Sequence, residues 1–262
     1  MASDNTRLLP SERQQRIKQL VLAQGSIRVA ELAEQFGVSE MTIRRDFELL
    51  EEEGHLERTF GGAVASEQTA FETSYTVRLS KHKPEKMAIA AYAASLIQDG
   101  DSIALDASTT CLALARELAK RPLTLITNSL DCAIELRASP AKILLTGGYL
   151  RQVSGSFAGP LAIKALQEFR VDHCFVSAKG ISLEDGLMDS DADEVEVKRV
   201  MLAAAAKKTA LVDSSKFDKR ALVRICGIAE VDLMISDTYL SADWQRRLKT
   251  AQIPHYLVEL SS

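Results

Sequence analysis

Residues 29–63 read VAELAEQFGVSEMTIRRDFELLEEEGHLERTFGGA. Val29, Leu32, Ala33 and Phe36 recur at helical spacing, Gly37 permits a tight turn, and Ser39 stands where it can cap a further helix with Ile43, Phe47 and Leu50 on its inward face. Two amphipathic helices joined by so short a turn have the spacing of a helix-turn-helix, whose second helix fits the major groove of DNA. Its outward positions near the start are Glu40, Met41, Thr42, Arg44 and Arg45. Arginine offers a planar fork for guanine, threonine bonds phosphate or touches a thymine methyl, and the amino end of a helix favours phosphate. After Gly54, Leu56, Arg58 and Phe60 alternate before a turn at Gly61 and Gly62, the pattern of a small β-hairpin wing from which Arg58 and His55 would reach backbone phosphate. Glu51, Glu52 and Glu53 mark the far end of the helix, which must point away from phosphate.

Upstream, Ser11 is placed to cap a helix with Ile17, Leu20 and Val21 on one face, ending near Gly25. An ordinary helical hairpin has similar spacing. Between Ser11 and Ala65, seven basic residues face ten acids, so attraction to a polyanion must be local. The whole chain agrees. Its 262 residues carry 32 basic and 36 acidic side chains, a formal charge of -4 that lends no bulk support to nucleic-acid binding. Length fits two domains better than one, and 46% hydrophobic with 26% charged residues excludes disordered and fibrous classes. Cys111, Cys132, Cys174 and Cys226 form no CxxC pair, and no run reaches the ~18 apolar residues a membrane span needs. A reduced cytoplasmic protein, outside the membrane, is the expectation.

Beyond about Lys86 the pattern changes. Aliphatic runs at 102–105, 123–127, 142–145, 173–177, 209–212 and 233–236 alternate with helical segments at 85–97, 110–119, 130–136, 160–169, 194–206 and 242–251. Such alternation predicts a parallel α/β domain with both sheet faces buried. Polar and small residues follow the strands: Asp106 with Ser108, Thr109 and Thr110; Thr127 with Asn128; Gly147 with Gly148; Ser177 with Lys179; Asp213 with Ser215 and Lys216. Taken singly, such residues are helix caps and turn formers. Five such loops at one end of an open sheet describe a polar pocket for a small anion, with the amides at 108–110 suited to phosphate and Lys216 as countercharge.

The residues at 29–63, with the TIRRD core at Thr42, Ile43, Arg44, Arg45 and Asp46 and the closing Gly61 and Gly62, strongly resemble the amino-terminal domain of the DeoR family of bacterial transcriptional regulators. The similarity continues through DASTT at 106–110, TNS at 127–129, Gly147 and Gly148, and DSSKF at 213–217. The resemblance implies a small winged helix-turn-helix domain followed by a larger Rossmann-like α/β domain resembling ribose-phosphate isomerases and coenzyme A transferases. It implies a repressor of carbohydrate-utilisation genes, released from operator DNA by a phosphorylated sugar, with Asp106, Ser108, Thr109, Thr110, Thr127, Asn128, Gly148 and Lys216 as effector contacts and Lys179 as a weaker candidate.

The expected organisation is therefore a DNA-binding domain at 8–65, a Ser- and Thr-rich linker at 66–84, and a sensing and oligomerisation domain at 85–262. A dimer or tetramer is expected, because one helix-turn-helix contacts only a half-site. No cofactor and no metal are expected: His55, His82, His173 and His255 lack ligand spacing. The series Asp189, Asp191, Asp193 lacks the glycine and final glutamate of a calcium loop and reads better as the opening of a helix. Trp244 and Tyr256 suit packing. The alternatives are a sugar-phosphate isomerase with an amino-terminal extension, using Asp106, Asp213 or Glu194 as base, and an interaction module with an inactive pocket.

Overall fold

A computed structural model describes residues 9–52, 56–65 and 75–260. It divides into two compact units, Met1–Lys81 and His82–Ser262. Among the described residues no helix is long and apolar enough to cross a membrane.

In the first unit, α1 (Pro10–Gln24), β1 (Ser26–Arg28), α2 (Val29–Phe36) and α3 (Glu40–Glu52) precede the hairpin β2 (Leu56–Thr59) and β3 (Gly62–Ala65), and a short helix α4 (Tyr75–Ser80) follows. Ile17, Val21, Leu32, Ile43, Phe47, Leu50 and Leu56 close one small core. Gly37 ends α2 in the left-handed conformation, and Ser39 Oγ accepts the Thr42 amide at 3.2 Å, as the spacing predicts. Ser11 does not cap α1; the helix begins one residue earlier, and Leu9 supplies its N-cap, donating its amide to the Glu12 carboxylate. β1 has no counterpart in the sequence reading, because three residues are too few to show a period. It makes the hairpin a three-stranded antiparallel sheet ordered β1-β3-β2. One buried ion pair ties this unit together: Arg13 Nε donates to Asp46 Oδ2 at 2.6 Å, and Gln14 adds a bond to Oδ1 at 3.0 Å.

The second unit opens with α5 (Lys83–Ser95), so helix begins within the stretch expected to be linker, as does α4. There follow β4 (Ser102–Leu105), α6 (Thr109–Glu117), β5 (Thr124–Thr127), α7 (Leu130–Glu135), β6 (Lys142–Leu145), β7 (Tyr149–Arg151), β8 (Ser156–Ala158), α8 (Pro160–Gln167) and β9 (Val171–Val176). The chain continues with β10 (Gly180–Ser182), β11 (Gly186–Asp189), α9 (Ala192–Ala204), β12 (Ala205–Leu211), β13 (Val223–Cys226), β14 (Leu233–Asp237), α10 (Ala242–Thr250) and β15 (His255–Val258). Seven strands form a wholly parallel sheet ordered β15-β14-β12-β9-β4-β5-β6. From β4 the chain proceeds outward through β5 and β6, then returns to β9 on the other side, so the strand order reverses between β4 and β9. Open α/β sheets bind ligands at the carboxyl side of such a reversal. Trp244 is buried, meets Phe217 edge-on and donates Nε1 to Asp218 at 2.7 Å, a packing role as expected.

Candidate functional site

In the first unit, α3 is inward at Ile43, Phe47 and Leu50, which leaves its amino half free. Met41 is 61% exposed, and Arg44 and Arg45 both face solvent. Arg44 leans on Glu40 at 3.2 Å, an exposed one-turn pair easily broken, and Arg45 has no partner among the described residues. Thr42 is half-buried and shares its hydroxyl with Ser39 Oγ at 2.9 Å. Arg58, expected to reach phosphate, is committed elsewhere. Its Nε donates to Glu51 Oε2 at 2.6 Å, its Nη1 to Glu48 Oε1 at 3.0 Å, and its backbone amide to Glu51 Oε1 at 2.9 Å. The Arg58 amide and guanidinium hold the Glu51 carboxyl below its usual range. Through these exposed pairs Arg58 ties the wing to the acidic end of α3. His55 lies outside the described residues.

In the second unit the five polar loops lie at one end, because their strands are all parallel. Two turns there are self-contained. Asp106 is fully buried; Oδ1 accepts the Ser108 amide at 3.0 Å and Oδ2 the Ser177 amide at 2.9 Å. Thr127 donates to the Leu105 carbonyl at 2.8 Å and accepts the Ser129 amide at 3.0 Å. Both side chains hold the frame of the candidate crevice. Gly148 (φ +106°) is needed by the fold: a Cβ there would meet the Ala158 carbonyl oxygen at 2.3 Å, so its lack of a side chain admits β8.

Thr109, Thr110 and Asn128 keep hydrogen-bonding atoms without a partner among the described residues. Ser108 caps α6, and the side chains of Thr109 and Thr110 make no hydrogen bond among the described residues. Their amides stand in the first turn, where helices have donors to spare. Asn128 donates Nδ2 to Phe157 O at 3.0 Å, while its buried Oδ1 accepts nothing among the described residues. Asp213 Oδ2 accepts no hydrogen bond among the described residues and lies 4.0 Å from Lys216 Nζ. Lys179 donates to Ser190 Oγ at 2.6 Å and pairs with Asp189 at 3.1 Å.

Sequence reasoning missed the centre of the crevice. Lys198 of α9 is buried, donating Nζ to Asp189 at 2.7 Å and to Ser177 O at 2.8 Å, with Asp106 at 3.0 Å. Burial pushes the Asp189 carboxyl up, but Lys198 and Lys179 together outweigh it and hold it well below the usual range. Burial likewise lowers Lys198, and Asp106 and Asp189 overcome it to raise its pKa above that of an ordinary lysine. Beside them Arg151 pairs with Glu194 at 2.8 Å and Asp191 at 2.9 Å, which pins the β7–β8 hairpin to the start of α9. Asp191 caps α9, as the sequence suggests. The signal for Lys198 lay in its place: four residues after Glu194 on the inward face of a helix whose other positions there, Val195, Val197 and Met201, are apolar. The cysteines are free and buried, with burial pushing the Cys132 thiol up to about 12 and that of Cys226 to about 11. Among the described residues no cluster of three or more His, Cys, Asp or Glu is arranged to hold a metal ion.

Comparison with known proteins covers both units. The family model of the DeoR-like helix-turn-helix domain matches residues 13–69, and that of the DeoR C terminal sensor domain matches residues 81–238. An uncharacterized HTH-type transcriptional regulator of Bacillus subtilis, YulB, is 39% identical over 97% of this chain and 99% of its own length. The lactose phosphotransferase system repressor of Staphylococcus epidermidis is 34% identical over 86% of this chain and 91% of its own. Among solved structures, ribose 5-phosphate isomerase A of Methanocaldococcus jannaschii is similar at a TM-score of 0.40 and 19% identity, over 54% of this chain and 56% of that one.

Proposed function

The chain belongs to the DeoR family of transcriptional regulators, and on that premise we propose that it represses a carbohydrate-utilisation operon, its hold on the operator set by a phosphorylated sugar. It is a DNA-binding regulator and not an enzyme. In this reading Met41, Thr42, Arg44 and Arg45 read the major groove from the amino end of α3. Arg58 serves as a brace. The phosphate of the effector sits on the first-turn amides and hydroxyls of Thr109 and Thr110, next to the cap Ser108, with Asn128 Oδ1 accepting a sugar hydroxyl and Lys216 and Lys179 supplying positive charge. Asp106, Thr127, Asp189 and Lys198 hold the crevice rigid beneath it.

The observation that carries the reading is the exposed amino half of α3. Its two arginines and a methionine face solvent beside the single acid Glu40, while Glu48 and Glu51 lie in the far half of the helix. A half-site contact is weak, so the working form is at least a dimer, assembled through the larger unit. The effector regulates by binding one arrangement of the DNA-binding heads better than another. Its place of work is the cytoplasm, where operator and phosphorylated sugars meet.

A mobility-shift assay on the region upstream of its own gene, with a panel of phosphorylated sugars, tests both halves. Specific binding that one sugar phosphate alters, and its unphosphorylated form does not, is the expected result. Arg44→Ala and Arg45→Ala should each remove most of the specific binding, leaving a weak remainder measurable at low salt, and leave effector-induced thermal stabilisation intact. Lys216→Ala should keep DNA binding and blunt the response to effector. Retention of specific binding in both arginine variants would refute the groove assignment.

A further inference from the structure

Phe60 is the most exposed large apolar side chain among the described residues, fully open to solvent at the tip of the β2–β3 hairpin. The tip is rigid. β3 is paired on both sides, to β1 and to β2. The Val29 amide donates to Gly61 O at 3.0 Å, and a Cβ on Gly62 would meet Ile27 O at 2.3 Å. Leu56 is buried at the base, and the next four residues face out. A ring held out by so firm a frame gains nothing from the fold.

The bond from Val29 to Gly61 sets the hairpin tip beside the amino end of α2, next to the exposed Arg28. When the second helix of a helix-turn-helix occupies the major groove, the first crosses the sugar-phosphate backbone, and its spare amino-terminal amides suit phosphate. A tip beside that end borders the strand that separates the major groove from the adjacent minor groove. Arg58 leans away from the tip onto Glu48 and Glu51. At the tip itself the large side chain presented is the apolar ring of Phe60.

We propose that Phe60 is a DNA contact, its ring entering the minor groove that flanks the half-site and packing on deoxyribose and base edges. The proposal rests on the DNA-binding role of the first unit. Apolar side chains act as wedges in the minor groove, and A·T steps, whose narrow groove lacks the guanine amino group, suit them. Because no phosphate is neutralised, this contact adds affinity without steepening the salt dependence.

The test uses the full-length protein and a duplex enriched by the wild type from random-sequence DNA. Phe60→Ala should bind roughly tenfold more weakly, as for the loss of one packed ring, with an unchanged slope of affinity against salt and an unchanged melting temperature. Dimethyl sulfate should show wild-type protection of adenine N3, in the minor groove, which Phe60→Ala loses while guanine N7 protection in the major groove persists. Phe60→Trp should keep its affinity and change emission on binding DNA. Equal affinity for Phe60→Ala, no adenine N3 protection by the wild type, or a change in sedimenting mass for Phe60→Ala would each overturn the proposal, the last making the ring a contact between copies. Failure of the wild type to enrich any duplex would sink the DNA-binding role, and this inference with it.

Discussion

Lys198 shows what a single buried charge does in this protein. It links Asp106, which follows β4, to Asp189, which ends β11, and its own helix thereby clasps the point where the strand order reverses. Removing one member of a buried network strands the others, at a cost of ~3–5 kcal/mol. Lys198→Met should therefore lower the melting temperature of the larger unit steeply, and thermal unfolding by circular dichroism reads this directly. The pH dependence has a defined sign. Asp106 and Asp189 are both held below the ordinary carboxylate range when folded, so their contribution is present above about pH 4, where the unfolded carboxyl ionises, and is lost as pH falls below it. Acid melting curves between about pH 5 and 3 should fall less steeply for Asp189→Asn than for the wild type, from a lower starting stability; parallel curves would remove Asp189 from the acid response.

At the scale of elements, two hairpins flank the main bodies of the two units, and each is fastened differently. β7–β8 rests on close backbone approach at Gly148 and on Arg151 reaching α9. Gly148→Ala adds a methyl 2.3 Å from a carbonyl oxygen at a φ that side chains rarely adopt. It should cost about 3 kcal/mol or more and loosen the hairpin, measurable as faster amide exchange over residues 149–158. The wing is fastened by Arg58 to the acidic half of α3. Arg45→Ala should reduce the salt slope of DNA binding by about one, whereas Arg58→Ala should leave the slope unchanged. An equal fall in both would restore Arg58 to the phosphate contacts.

At the scale of the whole molecule, repression and sensing are coupled only if the effector distinguishes two arrangements of the chain. Such coupling is reciprocal: by whatever factor an effector changes operator affinity, the operator must change effector affinity, typically about 5–150-fold. Titration calorimetry of the effector with and without operator should return the factor found from DNA binding with and without effector. Unequal factors would mean that the ligand acts on a third state, such as the oligomer.

Periodic and local features were legible in the sequence. Helical spacing from Val29 to Leu50, the cap at Ser39, and the aliphatic runs that became β4, β6 and β14 depend on neighbours a few residues apart, and the chain carries that information in order. Two-layer alternation was enough to place the polar loops at one end of a parallel sheet. Side chains whose role depends on distant partners could not be assigned that way. Asp46 stands beside the arginine pair in sequence, yet it turns inward because Arg13, 33 residues away, meets it. Arg58 became a brace because the acids of α3 lie under it, and Asp106 and Thr127 spend their hydrogen bonds on neighbouring strands. Lys198 lies on the inward face of α9, apolar there apart from Glu194, and only the fold brings the two carboxylates that make its burial tolerable. Sequence alone settled which groups were available; tertiary structure decided how each of them is partnered, because the groups that meet at one place come from segments far apart in the chain.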